Sequence, residues 1–287
     1  MKKIKVNLFD QLINHSYGEY GFHTFSPFVE PEKIEYSKRH IPTNNISVYT
    51  DKSIFDRAAI QQDPATLKVA WLVECREVHP FAYEQIVLVE DLFDYIFTFD
   101  STLLSRGSKY IMSMVGSSRI IDKHAKIFKK TKEVSFIISR KNQTSGHRLR
   151  HTLAEEVKKY PTVDFWGSAY RMMPQGEKIR ALAEYRYSIV VENSKDKNYF
   201  TEKIVDCFRT GVIPIYWGTE SVLEYFNKDG LVMFNKPEEL CEILERIDVK
   251  YYQARIEAIR ENFVLAQEWR SMDDTFAKQL NGVISDR

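Results

Sequence analysis

Residues 187–218 read YSIVVENSKDKNYFTEKIVDCFRTGVIPIYWG. The segment begins with a short, apolar and β-branched run over residues 187–191, which is typical of a buried strand. A polar loop follows, and Thr201 then stands where it can cap a helix whose apolar side chains share one face. Gly211 stands where the end of that helix favours a residue with positive φ, and another apolar run comes next. The segment therefore predicts a strand, a loop, a helix and a second strand.

Lys203 is the unusual residue of this segment, because it falls in the first turn of the predicted helix. A lysine there opposes the helix dipole and is mildly unfavourable. A bound anion would reverse that effect, since free N–H groups and a cation would converge on it. The alternative is an ammonium group that simply extends into solvent. From the dipole alone, removal of Lys203 is expected to leave folding intact or slightly improved.

The spacing of the polar residues in this segment is distinctive. It consists of Glu192-Asn193-Ser194, a gap of four residues, Tyr199-Phe200-Thr201-Glu202-Lys203, and then Gly211-Val212-Ile213-Pro214 and Gly218. This pattern closely resembles the donor-binding signature of the α-1,3/1,4-fucosyltransferases, glycosyltransferase family 10. The resemblance is strong over residues 185–218 and weaker over residues 67–270. It does not extend to the first part of the chain.

Strands and helices alternate along the chain, which indicates an α/β fold. We predict strands at residues 4–9, 46–49, 69–73, 95–99, 134–139, 163–166, 187–191, 212–216 and 231–234. We predict helices at residues 53–60, 146–159, 177–183, 201–210, 221–226, 237–246 and 251–269.

A basic stretch, residues 124–132, separates two groups of predicted strands. We expect its charges to be solvated, with a binding patch as the alternative, and we place a domain boundary near residue 130. The resemblance implies a GT-B-like fold with two Rossmann-like domains facing across a cleft. Residues 1–130 would then form the acceptor-binding domain, and residues 131–287 the domain that binds the nucleotide-sugar donor.

The resemblance also implies roles for residues of the first motif. Glu202 would bind the ribose hydroxyls of the nucleotide, and Lys203 would bind its diphosphate. Asn193, Ser194 and Tyr199 would lie near the phosphates and the sugar. From the residues alone, Glu202 is an acid that the dipole favours at a helix start, and Asn193-Ser194 is a turn after a strand.

A second polar loop, residues 139–148, stands between a predicted strand and a predicted helix. Such a loop of donors is a natural site for an anion. The resembled family places an arginine here against the diphosphate. Arg148 is the best positional match, Arg140 and Arg150 are rivals, and an exposed charged loop is the alternative. Because no Asp-x-Asp motif stands on a plausible metal-binding loop, we expect these cations to stabilise the departing diphosphate without a metal or other cofactor.

Glu74 follows the predicted strand at residues 69–73. The resembled family uses a glutamate after a similar strand, in a Glu-Ser-Pro context, as its general base. Here the context is Glu74-Cys75-Arg76, which departs from that pattern. A glutamate in an apolar cleft would have its pKa raised toward the useful range. A helix cap or an ion pair is the structural alternative, and Asp100 is the second candidate for the base.

Three weaker candidates complete the set of site residues. Residues 166–170, Trp-Gly-Ser-Ala-Tyr, resemble a Tyr-Gly segment of the family that borders the nucleotide base, although a turn with aromatic packing is an equal alternative. His23 and His79 are candidates for contact with the acceptor, although a histidine in such a place is more often a surface or hydrogen-bonded loop residue.

Composition limits the classes of partner. The chain has 287 residues, 44% of them hydrophobic, and a net charge of +1, so no global field draws it to nucleic acid or to a membrane. Cys75, Cys207 and Cys241 have no paired spacing, which favours reduced core thiols over disulfides or zinc. No apolar run is long enough to predict a membrane-spanning segment. We therefore expect a cytoplasmic enzyme of bacterial or viral type, or else a trimmed chain.

These observations predict an inverting, metal-independent transfer of fucose from GDP-fucose to a hydroxyl of a glycan acceptor. Fucose and an α-1,3-type linkage are implied by the resemblance. In this mechanism Glu74 deprotonates the acceptor hydroxyl, while Arg148 and Lys203 stabilise the departing GDP. The alternatives are a transferase for another nucleotide-activated sugar and a non-catalytic protein that binds nucleotide sugars. The sequence assigns neither the acceptor nor an oligomeric state.

Overall fold

The structure is a computed structural model that describes residues 3–10, 24–38, 40–174 and 176–285. The chain forms two compact units, and each contains one parallel β-sheet. The first unit comprises Met1–Val115 and Ser271–Arg287, and the second comprises Gly116–Arg270. The predicted α/β alternation is therefore confirmed.

The sheet of the first unit has the strand order β2-β1-β3-β4-β5-β6. Its strands are β1 (Ile4–Phe9), β2 (Ile34–Ser37), β3 (Ile46–Thr50), β4 (Leu67–Trp71), β5 (Tyr95–Thr98) and β6 (Tyr110–Met112). Its first three helices are short, and 3-10 turns at Asp51–Phe55, Ile86–Leu88 and Glu90–Leu92 accompany them. These helices are α1 (Arg57–Gln62), α2 (Pro80–Gln85) and α3 (Ser101–Leu104). Residues of β4 and β5 are almost fully buried, because helices and loops cover both faces of a parallel sheet.

The sheet of the second unit has the equivalent order, β11-β10-β9-β7-β8. Its strands are β7 (Lys132–Ile137), β8 (Val163–Trp166), β9 (Tyr185–Val191), β10 (Ile213–Trp217) and β11 (Val232–Met233). Two helices connect strands of this sheet, α4 (Ser145–Val157) after β7 and α5 (Glu202–Phe208) after β9. Three more follow β11, namely α6 (Pro237–Arg246), α7 (Val249–Gln253) and α8 (Ile256–Leu265). Short 3-10 helices lie at Asp122–His124, Lys178–Ala181, Glu220–Glu224, Lys228–Gly230 and Ala266–Trp269.

A final helix, α9 (Met272–Ser285), belongs to the first unit although it follows the second in the chain. Phe276 of α9 stacks on the fully buried ring of Trp71, with ring centroids 4.1 Å apart. At the start of α9, the buried Asp273 accepts hydrogen bonds from the backbone N–H groups of Phe25 and Ser26. Burial of these rings and satisfaction of this carboxylate hold α9 against the sheet of the first unit.

The structural division between the units falls between Val115 and Gly116, whereas the sequence placed a boundary near residue 130. The reason is a set of contacts from α5 and its C-cap residue, Arg209, to the segment in between. Asp206 accepts a hydrogen bond from the backbone N–H of Arg119 at 2.8 Å. The buried Arg209 donates to the backbone oxygen of Ile120, also at 2.8 Å.

The basic stretch at residues 124–132 is only partly solvated, which corrects the prediction for one of its lysines. Lys126 and Lys129 are exposed as expected. Lys130 instead points inward, and burial lowers the pKa of its ammonium group to about 7. This ammonium group donates hydrogen bonds to the backbone oxygens of Leu182, Ala183 and Thr210.

The predicted helix at residues 251–269 is divided in the structure into the second part of α7, all of α8 and a 3-10 turn. Two of the predicted helices, at residues 177–183 and 221–226, are 3-10 turns. Sequence reasoning missed two strands, β2 and β6, and three helices, α2, α3 and α9. None of the three cysteines, all of which are described, forms a disulfide, and burial raises the pKa of the Cys207 thiol to about 12.

Among the described residues, no helix has both the length and the apolar character that a membrane crossing requires. The cytoplasmic location expected from the sequence stays a prediction.

Candidate functional site

The candidate site lies at the carboxyl ends of β7 and β9. These two strands are parallel neighbours, with Val134 opposite Tyr187. The loop after β7 leads to α4, and the loop after β9 leads to α5. Because β8 lies on the far side of β7 and β10 on the far side of β9, this is the point where the strand order of the sheet reverses. Open α/β sheets bind their ligands at such a point.

Gly146 brings the start of α4 against the loop that follows β9. Its backbone N–H donates to the backbone oxygen of Asn193 at 3.0 Å. A Cβ atom at this position would lie 1.8 Å from the backbone oxygen of Glu192, far inside van der Waals contact. The close approach of the two loops therefore requires glycine here.

Thr144 and His147 form a capping box at the start of α4. The Thr144 hydroxyl accepts a hydrogen bond from the His147 N–H at 3.2 Å, and His147 Nδ1 accepts one from the Thr144 N–H at 3.3 Å. Burial, together with nearby cations that include Arg150 and Lys203, lowers the pKa of His147 to about 4. The imidazole is therefore neutral at pH 7.

Arg150 is the arginine that the fold brings to the motif. Only 6% of its surface is exposed, and both its Nε and its Nη2 donate to the backbone oxygen of Val191, at 3.0 and 2.6 Å. Its Nη2 also donates to Asn193 Oδ1 at 2.9 Å. Burial lowers the pKa of Arg150, while the charges of Glu192 and Glu202 act in the opposite direction. A buried guanidinium thus lies directly beneath the polar loop.

Arg148, the residue chosen from the sequence, is exposed in the structure. Its Nη1 donates to the backbone oxygen of Gln143 at 3.1 Å, within its own loop. Arg140 is also exposed, and its backbone N–H donates to Ser168 Oγ at 3.1 Å. Of the three arginines considered, Arg150 alone has a hydrogen bond to the motif among the described contacts.

Glu192 lies buried within the site. It was included in the motif but was given no role of its own from the sequence. Its carboxylate is fully buried. It accepts hydrogen bonds from the Thr201 N–H at 2.9 Å and from the Thr201 hydroxyl at 2.7 Å. Lys203 Nζ lies 3.2 Å from the same carboxylate and donates to Thr201 Oγ1 at 2.8 Å. The one sequence signal for this arrangement was an acid placed directly after an apolar strand.

Thr201 also caps α5, as predicted, because its side chain accepts from the backbone N–H of Lys203. The predicted apolar face of this helix is confirmed, since Ile204, Val205 and Phe208 are buried. Gly211 follows the helix with φ of 71°, which confirms the predicted positive φ.

Glu202 is partly exposed, with 20% of its side-chain surface accessible. Burial would raise the pKa of its carboxyl group, but nearby cations outweigh this effect and hold the pKa well below its ordinary value; they are Lys203, Arg119 and Lys178. Lys203 Nζ and Arg119 Nε lie 3.7 and 3.8 Å from Glu202 Oε1. These distances permit ion pairing but exceed hydrogen-bond length, so the ionised carboxylate retains acceptor capacity.

The remaining predicted donor residues shape the loop after β9. Ser194 is buried, and its hydroxyl donates to Asp196 Oδ2 at 2.7 Å. Tyr199 is also buried, and its backbone N–H donates to the backbone oxygen of Asp196. Asn193, Glu202 and Lys203 are the motif residues that are partly exposed.

In the first unit, Glu74 and Asp100 follow the neighbouring parallel strands β4 and β5. The Glu74 side chain is partly exposed, and no described residue donates a hydrogen bond to its carboxylate. Asp100 is committed to local structure, because it caps α3 through the Leu103 N–H at 2.9 Å and pairs with Arg76 at 2.7 Å. Arg76 also lies over the ring of Tyr83.

The Trp166 segment is held by internal contacts. Trp166 Nε1 donates to the hydroxyl of Tyr185 at 3.0 Å, and that hydroxyl donates to Asp164 Oδ2 at 2.7 Å. Tyr170 stacks on Phe165 with centroids 4.8 Å apart. These contacts correspond to the turn with aromatic packing that the sequence left as an alternative, and contact with a nucleotide base stays a prediction.

The two histidines considered for the acceptor differ in what can be described. His23 lies outside the described residues. His79 immediately precedes α2, and its Nδ1 lies 3.5 Å from Asp51 Oδ1.

The family model for glycosyltransferase family 10 (fucosyltransferase) C-term matches residues 127–271, about half of the chain. The chain belongs to glycosyltransferase family 10. The match includes β7, α4, β9 and α5, and thus every element of the site in the second unit. It does not extend to Glu74 or Asp100 of this family 10 protein.

Curated relatives of this family 10 protein are similar over part of their length. GDP-fucose protein O-fucosyltransferase 3 of Homo sapiens is 29% identical over 126 residues, which cover 38% of this chain and 26% of the human protein. Alpha-(1,3)-fucosyltransferase FucT of Helicobacter pylori is 30% identical over 104 residues, covering 36% and 18%. Alpha-(1,3)-fucosyltransferase B of Drosophila melanogaster is 28% identical over 138 residues, covering 42% and 30%. The aligned segments thus span less than a third of each of these relatives.

Solved structures resemble nearly the whole of this family 10 chain. A crystal structure of alpha1,3-fucosyltransferase has a TM-score of 0.58 at 16% identity and covers 96% of this chain and 88% of its own. HepE of Anabaena, crystallised with UDP-glucose, has a TM-score of 0.59 at 12% identity and covers 99% and 100%. These likenesses show the fold, which is the GT-B-like α/β fold predicted from the sequence.

Proposed function

We propose that this chain transfers fucose from GDP-fucose to a hydroxyl of a glycan acceptor, with inversion and without a metal ion. The observation that carries the proposal is a pair of cations: Lys203 lies 3.7 Å from the ionised carboxylate of Glu202, and Arg150 donates a hydrogen bond to Asn193. They stand at the carboxyl ends of β7 and β9, inside the region that matches family 10. A nucleoside diphosphate offers hydroxyls to the carboxylate and phosphate oxygens to the cations.

Each donor residue has a chemical task in this proposal. Glu202 accepts hydrogen bonds from the ribose hydroxyls, since an ionised carboxylate has several acceptor positions and the nearby Lys203 and Arg119 lie beyond hydrogen-bond length. Lys203 and Arg150 bind the diphosphate, and Arg150 replaces Arg148 in that role because it contacts Asn193. Asn193 lies nearest the phosphates and sugar, while Ser194 and Tyr199 maintain the loop from buried positions.

Lys203 has donor capacity left for a phosphate. An ammonium group carries three N–H donors. Two are used internally, toward Glu192 at 3.2 Å and Thr201 at 2.8 Å. The third is available to an oxygen of the donor diphosphate.

The same cations would carry the chemistry of the leaving group. When the bond between the anomeric carbon and the diphosphate oxygen breaks, negative charge develops on GDP. Fixed cations in a partly buried site stabilise that charge strongly. Lys203 and Arg150 can therefore supply the stabilisation that a divalent ion provides in other transferases.

The proposed base is Glu74. Its carboxylate would take the proton of the acceptor hydroxyl, whose oxygen then forms a bond to the anomeric carbon on the face opposite the diphosphate. Attack from that face inverts the configuration at this carbon. Support for Glu74 over Asp100 comes from their contacts, because Asp100 already caps α3 and pairs with Arg76.

A second acceptor class is favoured by the relatives. The human relative is named a protein O-fucosyltransferase, whereas the Helicobacter pylori and Drosophila relatives are named alpha-(1,3)-fucosyltransferases. A glycan hydroxyl with an α-1,3-type linkage is the first candidate. A hydroxyl of a protein side chain is the second.

The test is a turnover screen of GDP-, UDP-, ADP- and CMP-sugars against a glycan panel and a panel of folded protein domains, with and without EDTA. Transfer from GDP-fucose that EDTA leaves unchanged is the expected result. Transfer from another nucleotide sugar would show that the donor is that sugar nucleotide and not GDP-fucose. Binding of GDP-fucose with neither transfer nor hydrolysis would indicate a non-catalytic binding protein. A strict requirement for Mg²⁺ or Mn²⁺ would overturn metal independence.

A further inference from the structure

We propose that Glu192 is a positioning residue for the donor diphosphate, acting through Thr201 and Lys203; this inference rests on the proposed function. Glu192 does not touch the ligand in this proposal, because its carboxylate is fully buried. It holds the Lys203 ammonium group at the height and angle at which the remaining N–H meets a phosphate oxygen.

The carboxylate can hold Lys203 because Glu192 itself is fixed on all sides. Its backbone N–H donates to the Trp217 oxygen at 3.0 Å, which ties it to β10. Its backbone oxygen faces Gly146 of α4 so closely that no Cβ atom fits between them. The preceding carbonyl, of Val191, accepts two hydrogen bonds from Arg150. The side chain therefore starts from a rigid point.

Thr201 couples the carboxylate to the lysine. The Thr201 N–H donates to one carboxylate oxygen and its hydroxyl to the other. The same hydroxyl oxygen accepts from Lys203 Nζ. Glu192, Thr201 and Lys203 thus form a closed set of hydrogen bonds in which the ammonium group has two fixed acceptors. A flexible lysine side chain loses much rotamer freedom when it is immobilised, and here that loss precedes ligand binding.

The contact between Glu192 and Lys203 also balances their charges. A buried carboxylate needs a compensating cation, and a partly buried lysine needs an anion. Glu192 and Lys203 satisfy each other before the donor binds. The entering diphosphate then finds an oriented cation rather than one that must first leave solvent or another partner.

A purely structural Glu192 would make these contacts too, and a double-mutant cycle distinguishes the two roles. The dissociation constant for GDP is measured by calorimetry for the wild type, Glu192→Gln, Lys203→Ala and the double variant. If Glu192 acts through Lys203, Glu192→Gln weakens GDP binding by about tenfold in the wild type and by less than about twofold in the Lys203→Ala background. Glu156→Gln, an exposed acid on α4, is the matched control with unchanged affinity.

The outcomes separate this inference from the proposed function. Equal losses in both backgrounds, or no loss in either, would overturn the positioning role and leave the GDP assignment intact. If the wild type binds UDP or ADP instead of GDP, the donor assignment fails and the same cycle run with that nucleotide still decides the role of Glu192. If no nucleoside diphosphate binds, both proposals fail. If Glu192→Gln does not fold, Glu192→Asp takes its place, because it keeps the charge on a shorter side chain. Its loss of GDP affinity must also be larger in the wild-type background than in the Lys203→Ala background.

Discussion

Arg150 Nη2 donates a hydrogen bond to Asn193 Oδ1 at 2.9 Å, which joins the helix after β7 to the loop after β9. The two residues are far apart in the chain and come together because β7 and β9 are adjacent in the sheet. The same guanidinium also holds the backbone oxygen of Val191. Hydrogen bonds within the protein thereby fix a cation at the place where the strand order reverses.

This relationship predicts different effects for two arginines on the same helix. Arg150→Ala should weaken GDP binding by at least about tenfold, since a charge-assisted contact to phosphate contributes about 1.5–3 kcal/mol. Arg148→Ala should change the dissociation constant by less than about twofold, because its guanidinium is exposed and bonds its own loop. Calorimetric titration of both variants with GDP checks this.

Arg150→Ala also leaves the Val191 oxygen without its donor, so a third variant is needed to separate binding from stability. Arg150→Lys keeps the charge but loses the planar fork. It should recover part of the GDP affinity relative to Arg150→Ala. If Arg148→Ala loses more GDP affinity than Arg150→Ala, the arginine that binds the diphosphate is Arg148.

Lys203→Ala provides a test in which the structure reverses a sequence expectation. From the helix dipole alone, removal of this lysine should not reduce stability. In the structure Lys203 is the counter-ion of the buried Glu192, so its loss leaves a buried carboxylate without its cation. We expect a lower Tm, together with GDP binding weakened by roughly ten- to a hundredfold.

The control is Lys197→Ala, an exposed lysine of the same loop. It should change neither the Tm nor the affinity for GDP. A Lys203→Ala variant with lower Tm and unchanged GDP affinity would show that the lysine is structural only.

The fold was predictable where strands lie inside the sheets. The segments that became β4, β5, β9 and β10 are short apolar runs, because a central parallel strand is buried on both faces. The missed strands, β2 and β6, are at sheet edges and have only four and three residues, so they lack that signal. The helix α9 was missed because its position against Trp71 depends on a contact between distant parts of the chain.

The site was predictable where its residues share one motif. Thr201, Glu202 and Lys203 follow one another, so a cap, an acid and a cation could be inferred from order alone. The choice between Arg148 and Arg150 could not, because it depends on which helix face meets β9. The role of Glu192 could not be inferred either, because it depends on the burial of its carboxylate. That burial arises only when α5 packs over the end of β9 and Thr201 bonds to the carboxylate.

Gly146→Ala tests the close approach of the two loops. The new Cβ atom would lie 1.8 Å from the Glu192 oxygen, so either α4 or the loop must move. Overpacking of this kind costs about 3 kcal/mol, which should appear as a lower urea midpoint. GDP binding should weaken as well, because Glu192 and Asn193 are displaced.

Gly282→Ala is the matched control, since Gly282 lies in α9 and a Cβ atom there meets nothing within 4 Å. Alanine favours a helix over glycine by up to about 1 kcal/mol, so this variant should be neutral or slightly more stable. Equal midpoints for the two variants would show that the loops can separate without cost.

The capping histidine predicts a dependence of stability on pH. Burial and the nearby cations lower the pKa of His147 from 6.5 to about 4 in the folded chain. Between these values the unfolded chain binds the proton and the folded chain does not, so the free energy of unfolding falls as the pH drops from 6.5 to 4. His147→Gln retains a capping box but removes the titration. Its Tm should therefore fall less between pH 7 and pH 4.5 than that of the wild type.

His151→Gln, one turn further along α4, is the comparison for this pH series. It should keep most of the pH dependence of the wild type, because burial, Arg150, Lys141 and Lys203 each lower the pKa of His147 more than His151 does. If His147→Gln and the wild type lose the same number of degrees, the imidazole already titrates normally in the folded chain.

The proposed base is tested by Glu74→Gln beside Asp100→Asn. Glu74→Gln is nearly isosteric and removes a carboxylate to which no described residue donates, so the Tm and GDP-fucose binding should be unchanged. Turnover at saturating donor should fall by about 10²–10⁴-fold, the usual cost of losing a general base.

Asp100→Asn should lower the Tm, because Asp100 caps α3 and pairs with Arg76, while turnover of the folded fraction stays within about threefold. Glu77→Gln, a second glutamate of the same loop with no predicted catalytic role, is the comparison variant and should keep its turnover. If Glu74→Gln keeps more than about a third of wild-type turnover while Asp100→Asn loses it, the base is Asp100 and the role inferred for Glu74 is wrong.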